Sequence, residues 1–241
     1  MCTVTIIPKG DNDFIITSNR DEAPNRVSVN PKFYNFKDTQ MLFPKDEVSQ
    51  GTWIGISNKN RILCVLNGGL VFHERKPNYR LSRGIVVKDL LASNNIVHDI
   101  ECYDFHDIEP FTLVIADWNS DLKFMELVWN GKQRHFKSLH KEPRIWSSST
   151  LYSETMKEER LSWFEDFKSQ NELNAESLLE FHNTAGKGNE DYGVIMDRGF
   201  VKTTSITQIE KSNDLLEMRY DNLKQSGKSI TQFRTSEVVN E

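Results

Sequence analysis

The cysteine at position 2 has the clearest potential for chemistry in this chain. A residue as small as Cys at position 2 normally permits removal of Met1, and Cys2 would then carry a thiol and a free α-amine on one carbon. Reference thiols titrate near ~8.5 and α-amines near ~7.7–8.0, so the amine can take the thiol proton at neutral pH. We therefore expect Met1 to be removed and Cys2 to act as a nucleophile with its own base.

Two charged residues, Arg20 and Asp21, could tune this nucleophile. Residues 2–8 and 14–17 are β-rich and flank turn formers at 9–13, which predicts a hairpin that returns the chain to its start. Arg20 would favour the thiolate by opposite charge, and Asp21 would accept a hydrogen bond from the terminal ammonium. The alternative is a small residue at the start of an edge strand, near a solvated surface ion pair.

Thiolate attack on a carbonyl also needs hydrogen-bond donors for the oxyanion. Asn67 and Gly68, at the end of an apolar run, offer a side-chain amide and a flexible backbone N–H. We therefore predict Asn67 as a catalytic residue beside Cys2, Arg20 and Asp21, and Gly68 as a substrate-binding residue. The alternative is that this Asn-Gly-Gly segment is only a turn.

Several motifs together resemble one family. They are the Met-Cys start, the Ser-Asn-Arg-Asp-Glu run at 18–22, the Gly-Thr-Trp-Ile-Gly segment at 51–55 and the Trp-Ser-Ser-Ser-Thr-Leu segment at 146–151. This set resembles the NRDE family, also called the transport and Golgi organisation type. Its members resemble N-terminal nucleophile hydrolases of the choloylglycine hydrolase and penicillin V acylase kind. The resemblance spans most of the chain and implies a four-layer αββα sandwich with antiparallel sheets.

The resemblance also implies substrate-binding residues. Asn19 belongs to the NRDE run, Trp53 to the Gly-Thr-Trp segment, and Ser147 stands where the choloylglycine-type hydrolases carry an Asn donor. A second departure is that Arg20 is adjacent to Asp21 rather than three residues before it. We expect Asn19, Trp53 and Ser147 to contact the substrate.

Two functional interpretations follow from the resemblance. The first is a hydrolase that cleaves a non-peptide C–N amide bond through a thioester on Cys2. The second is a non-catalytic carrier or chaperone for an apolar ligand of the haem or lipid kind, with Phe33, Tyr34 and Phe36 as an apolar lid. A glutamine amidotransferase half is a third, but the chain has no room for a synthase domain. We expect a small-molecule amide or apolar partner and no cofactor.

Bulk composition excludes several classes of protein. The 241 residues carry a net charge of −5 with scattered basic residues, which argues against nucleic acid. No apolar run approaches the roughly 18 residues of a membrane span. The first eight residues lack the features of a secretory leader, and three unpaired-looking cysteines favour a reducing, cytoplasmic compartment. The six histidines show no metal-ligand spacing, so no metal is expected. The oligomeric state stays open.

The pattern of elements predicts one α+β domain over 1–241. Strands are expected in antiparallel clusters, including hairpins at 53–67 and 111–137, a strand at 192–196, and strands from 200 and from 215. Helices are expected at 82–93, after a capping box at 155–158, and from Asn174. Cys64 lies in an apolar run and is expected to be buried. Residues 23–50 read as irregular, and about 225–241 as a loose tail.

Overall fold

In a computed structural model, residues 3–234 form two antiparallel sheets and four helices. The six-stranded sheet contains, in spatial order, β10 (Arg144–Ser147), β1 (Thr3–Lys9), β2 (Asp13–Glu22), β11 (Lys202–Ser212), β12 (Leu215–Asn222) and β13 (Gly227–Arg234). The seven-stranded sheet contains β3 (Ser28–Phe36), β4 (Thr39–Asp46), β5 (Ile54–Ser57), β6 (Arg61–Asn67), β7 (Phe111–Asp117), β8 (Lys123–Trp129) and β9 (Arg134–Leu139). The helices are α1 (Arg83–Leu91), α2 (Ile96–Cys102), α3 (Glu154–Gln170) and α4 (Ala175–Thr184).

The two sheets pack face to face, and helices cover both outer surfaces. Successive residues of a strand point to opposite faces, so β2 serves two cores. Phe14 and Ile16 lie in the core between the sheets, whereas Ile15 belongs to a second core with Phe164 of α3 and Phe181 of α4. On the other side, α1 buries its apolar face against β5 and β6. The layers therefore run α–β–β–α, and the predicted sandwich is confirmed.

The predicted N-terminal hairpin is also confirmed. β1 and β2 pair antiparallel from Lys9 with Asp13 to Thr3 with Asn19, and β10 pairs with the other edge of β1. Thr3, the first described residue, is therefore flanked by Asn19 and Ser147. Cys2 lies outside the described residues.

The expectation of an irregular segment at 23–50 is wrong. Most of it forms the β3–β4 hairpin, with Lys37 at φ 53° in the turn. Pro31 lacks an N–H and coincides with an irregularity in the β3–β4 register, and β3 is an edge strand where that loss is tolerated. Pro44 follows the two β4 residues that pair with β5, so no ladder hydrogen bond is lost there.

The apolar lid expected at residues 33–36 is wrong as well. Phe33 stacks on Phe233 with ring centroids 5.9 Å apart, and Tyr34 stacks on Phe43 at 4.4 Å. Phe36 packs against the main core. These aromatic side chains tie β3 to its neighbours, and none of them lines the cleft described below.

Other differences concern the ends of elements. Residues 227–234 of the expected loose tail form β13, which pairs with all of β12. α3 begins after Ser153, whose hydroxyl accepts from the N–H of Met156, so the N-cap lies two residues before the predicted Thr155. Residues 192–196 are irregular, mainly bends, instead of a strand, while α2 and β10 were not predicted. Within residues 3–234, no helix combines the length and apolarity needed to cross a bilayer.

Candidate functional site

A cleft opens between the ends of the two sheets, next to the C-terminal end of β2, which carries Arg20. Its inner part has a volume of about 250 Å³ and is lined by Arg20, Trp53 and Asn67, among others. An outer part of about 280 Å³ shares Asn67 and Arg75 and adds Phe72 and Thr150. Three of the predicted site residues therefore meet in one place.

Arg20 is a buried cation rather than part of a solvated surface pair. Its side chain is 2% exposed, and its Nη2 donates to Asp46 Oδ2 at 2.6 Å. The guanidinium also lies over the Trp53 ring, 4.4 Å from its centroid. Burial lowers the pKa of Arg20, but the charges of Glu22 and Asp46 act against that shift. A guanidinium stays protonated in proteins, so the cleft keeps a fixed positive charge.

Two buried donors in this cleft have no hydrogen-bond partner among residues 3–234. They are Arg20 Nη1 and Trp53 Nε1. Buried N–H groups are nearly always paired, so an unpaired one in a native site requires an explanation. A cleft that binds a carbonyl or carboxylate oxygen would supply the acceptor.

The carboxylate of Asp46 is the hub of the charged network. Oδ2 accepts from Arg20 and from Arg26 Nε at 2.7 Å, and Oδ1 accepts from Arg26 Nη2 at 3.0 Å and from the backbone N–H of Val48 and Ser49. Burial would raise the pKa of Asp46, but its hydrogen bonds and the positive charges of Arg26 and Arg20 hold it below the ordinary value. Asp46 is therefore ionised at neutral pH.

Further arginines line the cleft, and their charges are partly neutralised. Glu109 lies 3.2 Å from Arg83 and 3.8 Å from Arg75, and His73 is 3.6 Å from the same carboxylate. Glu22 is ionised too: burial opposes its charge, but positive groups that include Arg20 and Arg26 lower its pKa. The cleft therefore offers both cations and carboxylates to a polar ligand.

Asn67 lines the cleft, whereas the backbone N–H of Gly68 is already paired. The Asn67 side chain lines both parts of the cleft and forms no hydrogen bond within residues 3–234. Its carbonyl accepts from Ser148 Oγ at 2.7 Å, which fixes the end of β6. The N–H of Gly68 donates to the carbonyl of Pro110 at 3.0 Å, so it is not available to an oxyanion. This pairing leaves the predicted substrate contact of Gly68 without its backbone donor.

Asn19 and Ser147 face the helices, not the cleft. Both are cross-strand partners of Thr3, and directly opposed residues share one face of a sheet. Asn19 Nδ2 donates to the carbonyls of His182 and Val194, and its Oδ1 lies 2.6 Å from His182 Nδ1. Ser147 Oγ accepts from Arg160 Nη1 at 3.3 Å. The side chains of these two residues therefore bind the helix layer, and neither residue lines the cleft.

Asp21 belongs to a buried network beside the start of β1. Its carboxylate accepts from Tyr152 Oη and from Thr203 Oγ1, both at 2.7 Å. Tyr152 Oη also accepts from Arg160 Nη2 at 3.2 Å, and Arg160 Nη1 donates to Thr3 Oγ1 at 2.6 Å. The network therefore connects Asp21 to the first described residue.

Three buried residues of these networks were not predicted from the sequence: Arg160, Tyr152 and Asp46. Arg160 is fully buried on α3, four residues before the buried Phe164. An arginine on the apolar stripe of a helix is a detectable signal, because an unpaired buried cation is costly. Asp46 could not be found in this way, since the segment around it was interpreted as irregular.

The two cysteines within the described residues, Cys64 and Cys102, differ in solvent exposure. Cys64 is fully buried as expected, and burial raises the pKa of its thiol to about 12. Cys102 is exposed, with its sulfur 3.8 Å from His98 Nε2. Within residues 3–234, no group of three or more His, Cys, Asp or Glu side chains is arranged to hold a metal ion.

Comparison with known proteins places this arrangement in context. The sequence matches the family model described as Transport and Golgi organisation 2 over residues 1–231. In sequence, the chain matches none of the curated proteins.

Solved structures of three hydrolases are similar in fold. Penicillin V acylase from Agrobacterium tumefaciens is 10% identical with a TM-score of 0.58, over 98% of this chain and 87% of that one. An N-acylethanolamine-hydrolyzing acid amidase ortholog from Caenorhabditis elegans is 11% identical with a TM-score of 0.58, over 86% and 92%. Conjugated bile acid hydrolase from Clostridium perfringens is 10% identical with a TM-score of 0.50, over 98% and 97%. At these identities the likeness shows the N-terminal nucleophile hydrolase fold alone.

Proposed function

This chain belongs to the Transport and Golgi organisation 2 family, and from that premise we propose that it is a hydrolase that cleaves a non-peptide C–N amide bond with Cys2 as nucleophile. The proposal includes a cytoplasmic, reducing setting, in which the thiol stays reduced. It also includes removal of Met1, because only then does Cys2 carry the amine that serves as its base.

One observation supports the proposal above the others. A buried guanidinium with an unpaired donor, Arg20 Nη1, lies in the same cleft as the side-chain amide of Asn67. Thiolate chemistry needs a fixed cation to favour the anion and a donor for the developing oxyanion.

The proposed reaction has two steps. The Cys2 amine takes the thiol proton, and the thiolate attacks the amide carbon while the Asn67 amide stabilises the oxyanion. The ammonium then returns the proton to the leaving nitrogen as the C–N bond breaks, which leaves a thioester. In the second step the amine accepts a proton from water, whose oxygen attacks the thioester and releases the carboxylic acid and the thiol.

The test measures amine release from a panel of fluorogenic N-acyl arylamides. We expect turnover by protein whose intact mass shows loss of Met1, and no turnover by Cys2→Ala. Asn67→Ala should lower kcat by about 10²–10³-fold, the usual cost of one lost oxyanion donor. Asn94→Ala, at an exposed position, is the matched control and should turn over normally.

Two results would overturn the proposal. One is turnover that persists in Cys2→Ala, which would place the chemistry on another residue. The other is native protein that retains Met1 quantitatively, because the thiol would then lack its own base.

The second candidate is a non-catalytic carrier for an apolar ligand of the lipid or haem class. It is favoured by three consecutive exposed apolar side chains, Leu70, Val71 and Phe72, of which Phe72 lines the outer cleft. Titration of a fatty acid or of haem against tryptophan fluorescence tests it. A carrier predicts saturable binding that Cys2→Ala leaves unchanged and that Phe72→Ser weakens.

A further inference from the structure

The carboxylate of Asp46 is held rigidly by several contacts besides its ion pair with Arg20. Asp46 is 4% exposed, and Arg26 forms a bidentate pair with its carboxylate. Arg26 Nε donates to Oδ2 at 2.7 Å, and Nη2 donates to Oδ1 at 3.0 Å. The backbone N–H groups of Val48 and Ser49 donate to Oδ1 at 3.1 and 2.8 Å. These contacts orient the carboxylate independently of Arg20, and they fix Oδ1 in place.

This carboxylate restricts the Arg20 guanidinium from one edge while Trp53 restricts it from one face. The edge contact is Nη2 to Asp46 Oδ2 at 2.6 Å, and the ring centroid of Trp53 lies 4.4 Å from the guanidinium carbon. A planar guanidinium held by one edge and one face has little rotational freedom. Asp46 ends β4 in the seven-stranded sheet, whereas Arg20 lies on β2 of the six-stranded sheet. The contact therefore fixes Arg20 across the gap between the two sheets.

We infer that Asp46 is the positioning residue of this site: it fixes the Arg20 guanidinium, whose positive charge favours the Cys2 thiolate in the proposed reaction. This inference rests on the proposed function, in which Arg20 favours the thiolate. Functional side chains are usually held close to their productive geometry by neighbouring residues on rigid elements. Glu22, 3.5 Å from Arg20 Nη2, is the group to which the guanidinium would turn if Asp46 were lost.

A different physical role for Asp46 would have the opposite effect. If Asp46 served only as a counter-charge, it would weaken the attraction of Arg20 for the thiolate, and its removal would increase Cys2 reactivity. Two substitutions separate geometry from charge. Asp46→Glu keeps the charge but moves the carboxylate by one C–C bond, ~1.5 Å. Asp46→Asn keeps the shape and removes the charge.

The experiment measures the pH dependence of Cys2 alkylation by iodoacetamide, with Cys102→Ser as background so that the exposed thiol does not interfere. Positioning predicts that both Asp46 variants raise the apparent pKa of the Cys2 thiol. Because only the thiolate reacts, alkylation at pH 7 should then be slower, by up to about tenfold. Unchanged alkylation in Asp46→Glu, or faster alkylation in Asp46→Asn, would overturn the inference.

Asp117→Glu is the matched control. Asp117 forms a buried pair with Arg61 at 2.7 Å, and Arg61 lies at the end of β6 opposite Asn67, about 20 Å away for six residues of strand. Its loss should lower the melting temperature and leave the Cys2 alkylation profile unchanged. If the pH profile of Cys2 alkylation shifts equally in this control, the effect of the Asp46 substitutions comes from general destabilisation, and the inference is refuted.

Arg20→Gln separates failure of the inference from failure of the proposed function. If Arg20→Gln leaves the alkylation profile unchanged in folded protein, the proposed role of Arg20 itself is wrong. If Arg20→Gln slows alkylation and Asp46→Glu does not, only the positioning role is wrong. Should Asp46→Asn not fold, Arg26→Gln provides the second test, because it removes the two-pronged contact and should slow alkylation by a smaller factor.

Discussion

His182 should make the fold sensitive to mild acid. It is completely buried on α4, and burial together with the charge of Arg160 lowers its pKa from the ordinary 6.5 to about 3. Its surroundings suit a neutral ring. Because Asn19 Nδ2 donates to two carbonyls, Asn19 Oδ1 is the acceptor for His182 Nδ1–H, and His182 Nε2 accepts from Thr5 Oγ1 at 2.8 Å.

The sign and size of the effect follow from proton linkage. The unfolded chain binds a proton at this histidine below pH 6.5, whereas the native state does not until about pH 3. The contribution of a neutral His182 to stability is therefore complete above pH 6.5 and is lost as pH falls through that window. At about 1.36 kcal/mol per pH unit, acidification from pH 7.5 to 5.0 removes about 2 kcal/mol. That is a sizeable part of a typical stability of about 5–15 kcal/mol.

Urea unfolding at pH 7.5 and 5.0 measures this difference directly. Wild type should lose about 2 kcal/mol between the two pH values. His182→Gln should be less stable at pH 7.5 but lose much less over the same interval. Glu22 and Asp46, whose pKa values are lowered, lose their contribution mainly below pH 5 and interfere little. A pH-dependent loss of the same size in His182→Gln would refute the reasoning, and His106→Gln, at an exposed histidine, is the matched control.

Three further predictions follow from the local surroundings of Asn19, Gly68 and the two described cysteines. Asn19→Ala removes three buried hydrogen bonds and should lower the free energy of unfolding by about 2–4 kcal/mol in urea, with Cys2 alkylation unchanged. Gly68→Ala should cost about 1–3 kcal/mol in thermal unfolding, because Gly68 has φ +86° and a Cβ there would lie 3.0 Å from Thr150 Cγ2. Native alkylation at pH 7.5 followed by peptide mapping should label the exposed Cys102 and leave Cys64 unmodified, since burial raises the pKa of Cys64 to about 12.

Each of these predictions has a control within the chain. Gly227→Ala introduces a Cβ with no atom within 4 Å, so it should leave stability nearly unchanged, and an equal loss there would contradict the argument for Gly68. Cys64 should become labelled in urea, and labelling in the native state would contradict its burial. Reduced Cys2 alkylation in folded Asn19→Ala would restore a direct role for Asn19 at the site.

Features that depend on neighbours along the chain could be predicted from the sequence alone. The β1–β2 hairpin, the hairpin of β5 and β6, and helices α1 and α4 follow from strand alternation, turn formers and N-caps within a few residues. The potential of Cys2 as a nucleophile is likewise local, because its thiol and amine belong to one residue. Arg20, Trp53 and Asn67 were singled out from local motifs, and the fold brings them to one cleft.

The surroundings of each of these side chains depend on the tertiary fold. Adjacent residues of β2 point to opposite sides, so Arg20 meets Asp46 and Trp53 while Asn19 meets His182, and no local pattern distinguishes the two roles. The β3–β4 hairpin and β13 pair with neighbours along the chain, but prolines and polar residues obscured their strand pattern in the sequence. Asp46 could not be recognised from any local pattern, because its partner Arg20 is 26 residues away on the opposite sheet and only folding brings the two charges into contact.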